Sequence, residues 1–349
     1  MTEPPTDVAI IGDRFMRPEM FETALVEACG PRIACRKLQQ PWPDEPMEHG
    51  YATPGMAGLK EYMGTAEEVM AHIADAPVLV THLAPVSRSM FEAMPTLKLI
   101  AVSRGGPVNI DMDAARDHAV TVVNTPGRNA SAVAEFTIGA IIAETRNITK
   151  GHDALRKGAY RGDLYRADVT GDELSDMTVG VIGYGQVGSR VVRLLRAFGC
   201  RILVCDPYVQ LDPADRAGDV EMTDLPTLLA KADIVTLHPR VTDETKQMMN
   251  RETLRAMKPG ATLVNTARGP LMDYDALYAV LSEGHLRGAM LETFAVEPVP
   301  PDWPLLQLPN VTLTPHIAGA SLKTVRIAAA GAAEEVRRWL AGEPPRNPC

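Results

Sequence analysis

Basic clusters, paired cysteines and long apolar runs are all missing from this 349-residue chain. With no lysine- or arginine-rich block and a formal net charge of -9, a nucleic-acid or anionic-membrane partner is disfavoured, and small molecules are the expected ligands. The five cysteines (Cys29, Cys35, Cys200, Cys205 and Cys349) leave an odd one and form no C-x-x-C pair. Neither a disulfide framework nor a metal site is therefore expected, and the thiols read as reduced in a cytosolic setting. No apolar stretch approaches the roughly 20 residues needed to cross a bilayer. The opening MTEPPTDV has no basic start and no small-residue cleavage site, so a soluble, cytoplasmic protein is expected. A composition of 46% hydrophobic and 23% charged residues is that of an ordinary globular chain and excludes disordered and fibrous classes. Because single cores stop growing at roughly 250 to 300 residues, two domains are the starting expectation.

What is present is an α/β rhythm. Strand-like runs occur at TVGVIG (178–183), RILVCD (201–206), ADIVTLH (232–238), ATLVNT (261–266), LRGAML (286–291) and NVTLTP (310–315), most of them separated by helix-like or loop segments. Short, continuously apolar strands between helices predict a parallel sheet covered on both faces, hence a doubly wound domain. A weaker version of the rhythm runs through VAIIG, VLVTH, LKLIAVS and VTVVNT in the first 124 residues. The stretch from Leu38 to Gly64, rich in Pro, Gly and Met, reads as loop. After TPG at 125–127, NASAVAEFTIGAIIAETRN places Val133, Phe136, Ala140 and Ile141 at helical spacing, with Asn129 or Ser131 as N-cap, and is a candidate for a helix crossing between domains. SLKTVRIAAAGAAEEVRRWLAG near the end predicts one long alanine-rich helix that returns to the first domain.

GYGQVG carries Gly183, Gly185 and Gly188 between the run TVGVI and the segment SRVVRLLRAFG, in which Val187, Val191, Leu194, Leu195 and Phe198 share a helical face. A G-x-G-x-x-G is weak alone but specific in this strand-to-helix context: it allows a tight turn, close approach of backbone to a pyrophosphate and an anion at a helix N-terminus. Asp206 ends the next strand, placed to accept hydrogen bonds from ribose hydroxyls and to repel a 2'-phosphate, which favours NAD over NADP. A turn-capping role is the bland alternative for Asp206.

Three further residues follow successive strand-like runs: Arg268 in NTARGPLMD, Glu297 in ETFAVEP and His316 in LTPHIAG. These are the carboxyl ends of strands, where ligands of open α/β sheets bind. A planar guanidinium suits a bidentate grip on a carboxylate, and an imidazole held by a carboxylate suits proton transfer near neutral pH. Each alone has a structural reading, as a surface ion pair, a solvated acid or a core histidine.

From LKLIAVSRGGPVNID through TPGRNASAVAE, VGVIGYGQVG, LHPRVTDET, VNTARGPLMD, ETFAVEP and TPHIAG, the chain resembles the D-isomer-specific 2-hydroxyacid dehydrogenase family in motif order and spacing. The resemblance implies an α/β protein of two doubly wound domains. A Rossmann-type NAD-binding domain (125–317) would be inserted in a discontinuous, flavodoxin-like substrate domain (1–124 and 318–349). It implies Arg268, Glu297 and His316 as the catalytic set, NAD contacts from Gln186, Val187, Asp206, His238, Thr266, Ala267, Glu292 and Thr125, and a homodimer. The activity implied is hydride exchange between NAD and a small D-2-hydroxy acid or its 2-keto acid. The alternative is a non-catalytic NAD-sensing protein, because the family includes corepressors of this fold.

Three departures bear on substrate choice. Glu292 in LETF stands where relatives carry aspartate, SRGGPVNID is shorter than the usual loop and includes Pro107, which has no N-H, and Arg240 stands where a proline often follows. Arg104, Gly105 and Gly106 are the substrate-loop candidates, with Asn109 as a brace, and His82 is a further candidate substrate contact. Glu297 disfavours formate oxidation, since the formate enzymes it resembles carry glutamine there. Tyr160, Arg161, Tyr165 and Arg166 fall where relatives place an intersubunit arm. His49, His72, His118, His152 and His285 read as surface or loop residues, and Trp42, Trp303 and Trp339 as packing.

Overall fold

The computed structural model describes residues 4–42, 55–216 and 219–349. The chain divides into two compact units, Met1–Arg128 with Ser321–Cys349, and Asn129–Ala320. Among the described residues no helix is long and apolar enough to cross a membrane.

In the first unit, β1 (Thr6–Gly12), β2 (Ile33–Gln39), β3 (Val78–Thr81), β4 (Leu99–Val102) and β5 (Thr121–Val123) form a parallel sheet in the order β2-β1-β3-β4-β5. This is the flavodoxin-like order, whose chain reversal lies between β1 and β3. Helices α1 (Pro18–Cys29), α2 (Ala66–Ile73), α3 (Arg88–Ala93) and α4 (Met112–Asp117) come from the same stretch of chain. The central strands are buried along their whole length, because helices cover both faces. Strand β2 is not legible in the sequence: IACRKLQ is half-buried or exposed at every position of the sheet edge and has no apolar run. Only part of the loop expected over Leu38–Gly64 can be compared, since 43–54, with His49, lie outside the described residues.

The second unit starts with α5 (Ala130–Thr145) and α6 (Ile148–Arg156). Helix α5 does not cross between units as its position had suggested. It lies wholly in the second unit and packs against that unit's sheet and α7 (Gly188–Arg196). Asn129 is its N-cap residue, without a side-chain cap bond. The sheet is built from β6 (Thr178–Ile182), β7 (Arg201–Cys205), β8 (Val220–Met222), β9 (Ile234–Leu237), β10 (Thr262–Asn265), β11 (Gly288–Leu291) and β12 (Val311–Leu313), in the order β12-β11-β10-β9-β6-β7-β8, all parallel. The reversal between β6 and β9 makes it a Rossmann-type doubly wound sheet. Helices α8 (Leu225–Lys231), α9 (Arg251–Ala256) and α10 (Tyr274–Ser282) connect its strands. On α7, Val191 and Leu195 are buried, whereas Leu194 and, two residues past the helix end, Phe198, both expected on the same inner face, are exposed.

The last helix, α11 (Leu322–Leu340), belongs to the first unit and packs on α1. Ser321 caps it by accepting a hydrogen bond from Thr324 N, and its alanines 328, 329, 332 and 333 are buried against Val8, Ile10 and Phe21. Small side chains at that spacing let the helix lie close to the sheet.

Candidate active site

Three adjacent strands of the second sheet, β10, β11 and β12, deliver Arg268, Glu297 and His316 just beyond their carboxyl ends. His316 Nδ1 donates to Glu297 Oε2 at 2.8 Å, and Glu297 Oε1 accepts from Phe294 N at 2.8 Å, so the carboxylate is fixed on its own loop. With its proton on Nδ1, the imidazole presents Nε2 outward. The hydrogen bond to Glu297 raises the His316 pKa above the ordinary imidazole value, against burial and the like charge of Arg268.

His316 sits at φ 54°, left-handed backbone that a residue with a Cβ rarely adopts. Glu292 holds it there. Its carbonyl accepts from His316 N at 3.0 Å and its carboxylate from Ala318 N at 2.7 Å. The Glu292 side chain is buried, and burial pushes its carboxyl up. Asn265 does similar work for Arg268. Its Oδ1 accepts from Ala267 N at 3.1 Å and its Nδ2 donates to the Arg268 carbonyl at 3.1 Å, which pins the turn. The Arg268 side chain is exposed, with one bond to the Ala267 carbonyl at 2.7 Å and none to Glu297 or His316. Thr266 is buried and shares a hydroxyl contact of 2.7 Å with Thr137.

The glycine loop leaves β6 through Gly183 at φ +89°. A Cβ there would lie 2.8 Å from the His238 carbonyl carbon, and one at Gly188 only 1.9 Å from the Gly183 oxygen. A Cβ at Gly185 would meet nothing within 4 Å, so that face of the loop is open. Asp206 accepts from Tyr184 N at 2.7 Å and from Tyr208 N and Val209 N at 2.9 and 3.1 Å. It therefore caps the turn after β7 and ties it to the glycine loop, while opening on a cleft of about 570 Å³ walled by Pro207, Tyr208, Leu211 and Met222. Gln186 is exposed and bonded to Arg190, and Val187 precedes α7. His238 Nε2 bonds Thr236 at 3.0 Å, its Nδ1 is buried without a partner among the described residues, and burial drives its pKa down to about 3.

The first unit also gathers polar side chains at its strand ends. His82, after β3, is buried, with Nδ1 2.6 Å from Asp13 Oδ2 and Nε2 3.0 Å from an Arg128 guanidinium nitrogen. Arg104, after β4, is bonded to Glu61 through both its carbonyl and its carboxylate. Gly105 and Gly106 are exposed, and buried Asn109 braces the loop by donating to Ala84 O at 2.7 Å. Thr125 lies in this unit, its hydroxyl buried without a partner among the described residues and its N-H on the Arg104 carbonyl.

The profile of the D-isomer specific 2-hydroxyacid dehydrogenase NAD-binding domain matches residues 138–318. A glyoxylate reductase of Thermofilum pendens is 38% identical over 82% of this chain and 85% of its own length. The chain belongs to the D-isomer specific 2-hydroxyacid dehydrogenases. A D-3-phosphoglycerate dehydrogenase of Methanocaldococcus jannaschii is 39% identical over 81% of the chain, which spans 53% of that relative's length. Among solved structures, the TT0316 protein from Thermus thermophilus superposes with a TM-score of 0.78 at 29% identity over 97% of this chain and 99% of its own. D-2-hydroxyisocaproate dehydrogenase superposes with a TM-score of 0.81 at 24% identity, covering 99% of each chain, a likeness of fold.

The dehydrogenase is thus an NAD-dependent oxidoreductase of 2-hydroxy acids, with NAD as cofactor. The open face at Gly185 and the carboxylate and cleft at Asp206 fit a dinucleotide. Sequence reasoning passes over Asp13 and Arg128, although Asp13 directly follows a strand-like run as Asp206 does. Applying the strand-end rule to the first sheet would have found Asp13. Arg128, five residues past β5, is found only from coordinates. Of the histidines read as surface residues, His152 is exposed. The others described are not: His72 is half-buried against the Ile10 and Arg36 carbonyls, His118 stacks on Phe91, and His285 lies 3.1 Å from the Met257 carbonyl oxygen.

Proposed function

We propose that His316 carries the proton in the interconversion of a 2-keto acid and its D-2-hydroxy acid, that Glu297 orients and charges the imidazole, and that Arg268 binds the substrate carboxylate and polarises the carbonyl. The observation behind this reading is the 2.8 Å bond from His316 Nδ1 to Glu297 Oε2, at the ends of adjacent strands. It leaves Nε2 to give its proton to the carbonyl oxygen in reduction and to take it from the hydroxyl in oxidation. Bound NAD supplies or accepts the hydride. Arg268 is exposed and, among the described residues, its side chain makes one bond, to a backbone carbonyl, which suits a fork that takes a carboxylate in two parallel bonds. The backbone carbonyl and carboxylate of Glu292 keep His316 in its strained turn, and strain of this kind persists where the surroundings over-determine it.

Two wider readings belong with this one. A cytoplasmic location fits the unpaired cysteines. A homodimer fits the second unit, where Ile148, Leu155, Tyr160 and Tyr165 are exposed, the two tyrosines at 89 and 95%. Apolar side chains that exposed, gathered along one segment, suit a partner surface.

The deciding experiment follows NADH oxidation with glyoxylate, pyruvate, hydroxypyruvate and phosphohydroxypyruvate for the wild type and for His316→Gln. Turnover by the wild type that His316→Gln loses, with NADH binding retained, is expected. Tight NADH binding without turnover of any keto acid would instead favour an NAD-sensing protein.

A further inference from the structure

The glycine loop has little shape of its own. Tyr184 stands between Gly183 and Gly185, and glycine is the most permissive backbone, so what fixes the loop has to come from the residue between them. Tyr184 is held at both ends. Its N-H donates to Asp206 Oδ2 at 2.7 Å, and its hydroxyl donates to Asp215 Oδ2. The ring is only 4% exposed and shares an apolar cluster with Val191, Leu195 and Leu211. Burial raises the phenol pKa, and the adjacent carboxylate raises it further, so the proton stays on the hydroxyl.

Asp215 lies away from the strand ends that gather the other site residues. It ends a short 3-10 turn (Pro213–Asp215) and is 1% exposed. Its Oδ2 also accepts from Arg193 Nε at 2.9 Å, and its Oδ1 lies 3.5 Å from Arg196 Nη1, both arginines being on α7. Arg196 donates in addition to the Ala214 carbonyl at 2.8 Å. Two guanidiniums are enough to compensate one buried carboxylate, so the phenol is not needed for charge balance. What it adds is a tie to the glycine loop. One carboxylate thereby joins three pieces of the second unit: the loop, the helix that the loop opens, and the stretch between Leu211 and Arg216, two residues that line the Asp206 cleft.

We propose that Tyr184 and Asp215 are positioning residues for the cofactor: their bond locks the glycine loop, α7 and the wall of the Asp206 cleft into one preformed unit, and so sets the affinity for the ADP-ribose half of the dinucleotide. The hydroxyl is spent on Asp215 and is not itself a ligand. Its contribution is to remove freedom that the flanking glycines would otherwise lose on binding, and binding is tighter when that ordering is done in advance. Because Tyr184 carries Asp206 on its N-H and Asp215 on its hydroxyl, loosening one end also loosens the acid that faces the ribose.

The test is made by binding, so it stands apart from the assignment of the proton-transfer residues. Kd is measured for NADH by nicotinamide fluorescence and for ADP-ribose by calorimetric titration, with thermal unfolding followed on the same samples. Tyr184→Phe, which removes one oxygen and leaves the ring, should raise both Kd values by a similar factor of about 3- to 10-fold, the worth of one buried hydrogen bond. Asp215→Leu should raise them at least as much, and the double variant should be no weaker than Asp215→Leu alone, because both changes cut the same tie. If the leucine variant fails to fold, Tyr184→Phe decides the matter by itself. A lower Tm with both Kd values unchanged would overturn the proposal, since the hydroxyl would then serve only the fold. So would a rise for NADH without one for ADP-ribose, or losses that multiply in the double variant.

Discussion

Among the described residues, each unit of this dehydrogenase contains one histidine bonded through Nδ1 to a carboxylate, and the two pairs behave oppositely. His316 and Glu297 are 2.8 Å apart and His82 and Asp13 are 2.6 Å apart, so the local bond is the same. The His316 side chain is 41% exposed, that of His82 only 5%. For His316 the carboxylate bond is the largest influence and the pKa rises. For His82 burial outweighs the same bond and the pKa falls to about 4. A His-carboxylate pair is therefore not by itself an acid/base device. Solvent access decides whether the imidazole can hold a proton or can only stand as a neutral strut.

The largest effect expected from this contrast is on turnover. His316→Gln should lower kcat for keto-acid reduction by about 10²- to 10⁴-fold, the usual worth of a positioned acid or base. His82→Gln keeps a donor and an acceptor in place without a titratable ring, and should leave kcat nearly unchanged, because the buried ring is already neutral in the working pH range. Steady-state kinetics on the two variants sharpens the comparison. An equal loss of kcat in both would break it, because His82 would then be moving protons too.

How far the two pairs could be read from the amino-acid order differs as well. The apolar runs of the central strands announce themselves, so Glu297 and His316 fall at strand ends on inspection. The edge strands β2 and β8 have no such run, because half of an edge strand faces water, and they were missed. Leu194 and Phe198 look inward by helical spacing, yet they lie outside the buried stripe of α7. The turns that aim the site residues were hidden for another reason. The bond from Glu292 to the His316 turn joins residues whose positions become comparable only once β11 and β12 are aligned, and the bond from Asn265 to the Arg268 carbonyl, though it spans only three residues, depends on a turn that the residue types do not announce. Arg128 shows the same limit, since nothing in TPGRN says that its guanidinium will meet His82, 46 residues away in the chain.

Stability against acid is the next largest effect. His82 has a folded pKa of about 4, below the ordinary 6.5 of an unfolded histidine, so between those values the unfolded chain binds the extra proton. Stability is full above pH 6.5 and declines as the pH falls toward 4, by on the order of 3 kcal/mol for this group. His238, held at about 3 by burial, adds a decline of the same sign. Thermal unfolding between pH 7 and pH 4.5 should therefore show a shallower loss in His82→Gln than in the wild type. Parallel curves would mean that the ring protonates in place, and the contrast with His316 would disappear.

The smallest effect is a shift along the pH axis. Reduction needs His316 protonated, so its rate should fall as pH rises through a pKa lying above 6.5, the direction set by Glu297. Glu297→Gln keeps an acceptor for Nδ1 but removes the charge, leaving burial and the Arg268 charge, which favour the neutral ring, opposed only by the weaker pull of the Glu292 carboxylate. The alkaline limb of kcat/KM for reduction should then move to lower pH, while the oxidation direction, which needs the neutral ring, should gain activity on its acid side. Asp13→Asn should leave that limb where it is, since His82 is neutral throughout the range. If instead Asp13→Asn moved the limb and Glu297→Gln did not, the buried pair would be the one that titrates with turnover, and solvent access would not be what separates the two histidines.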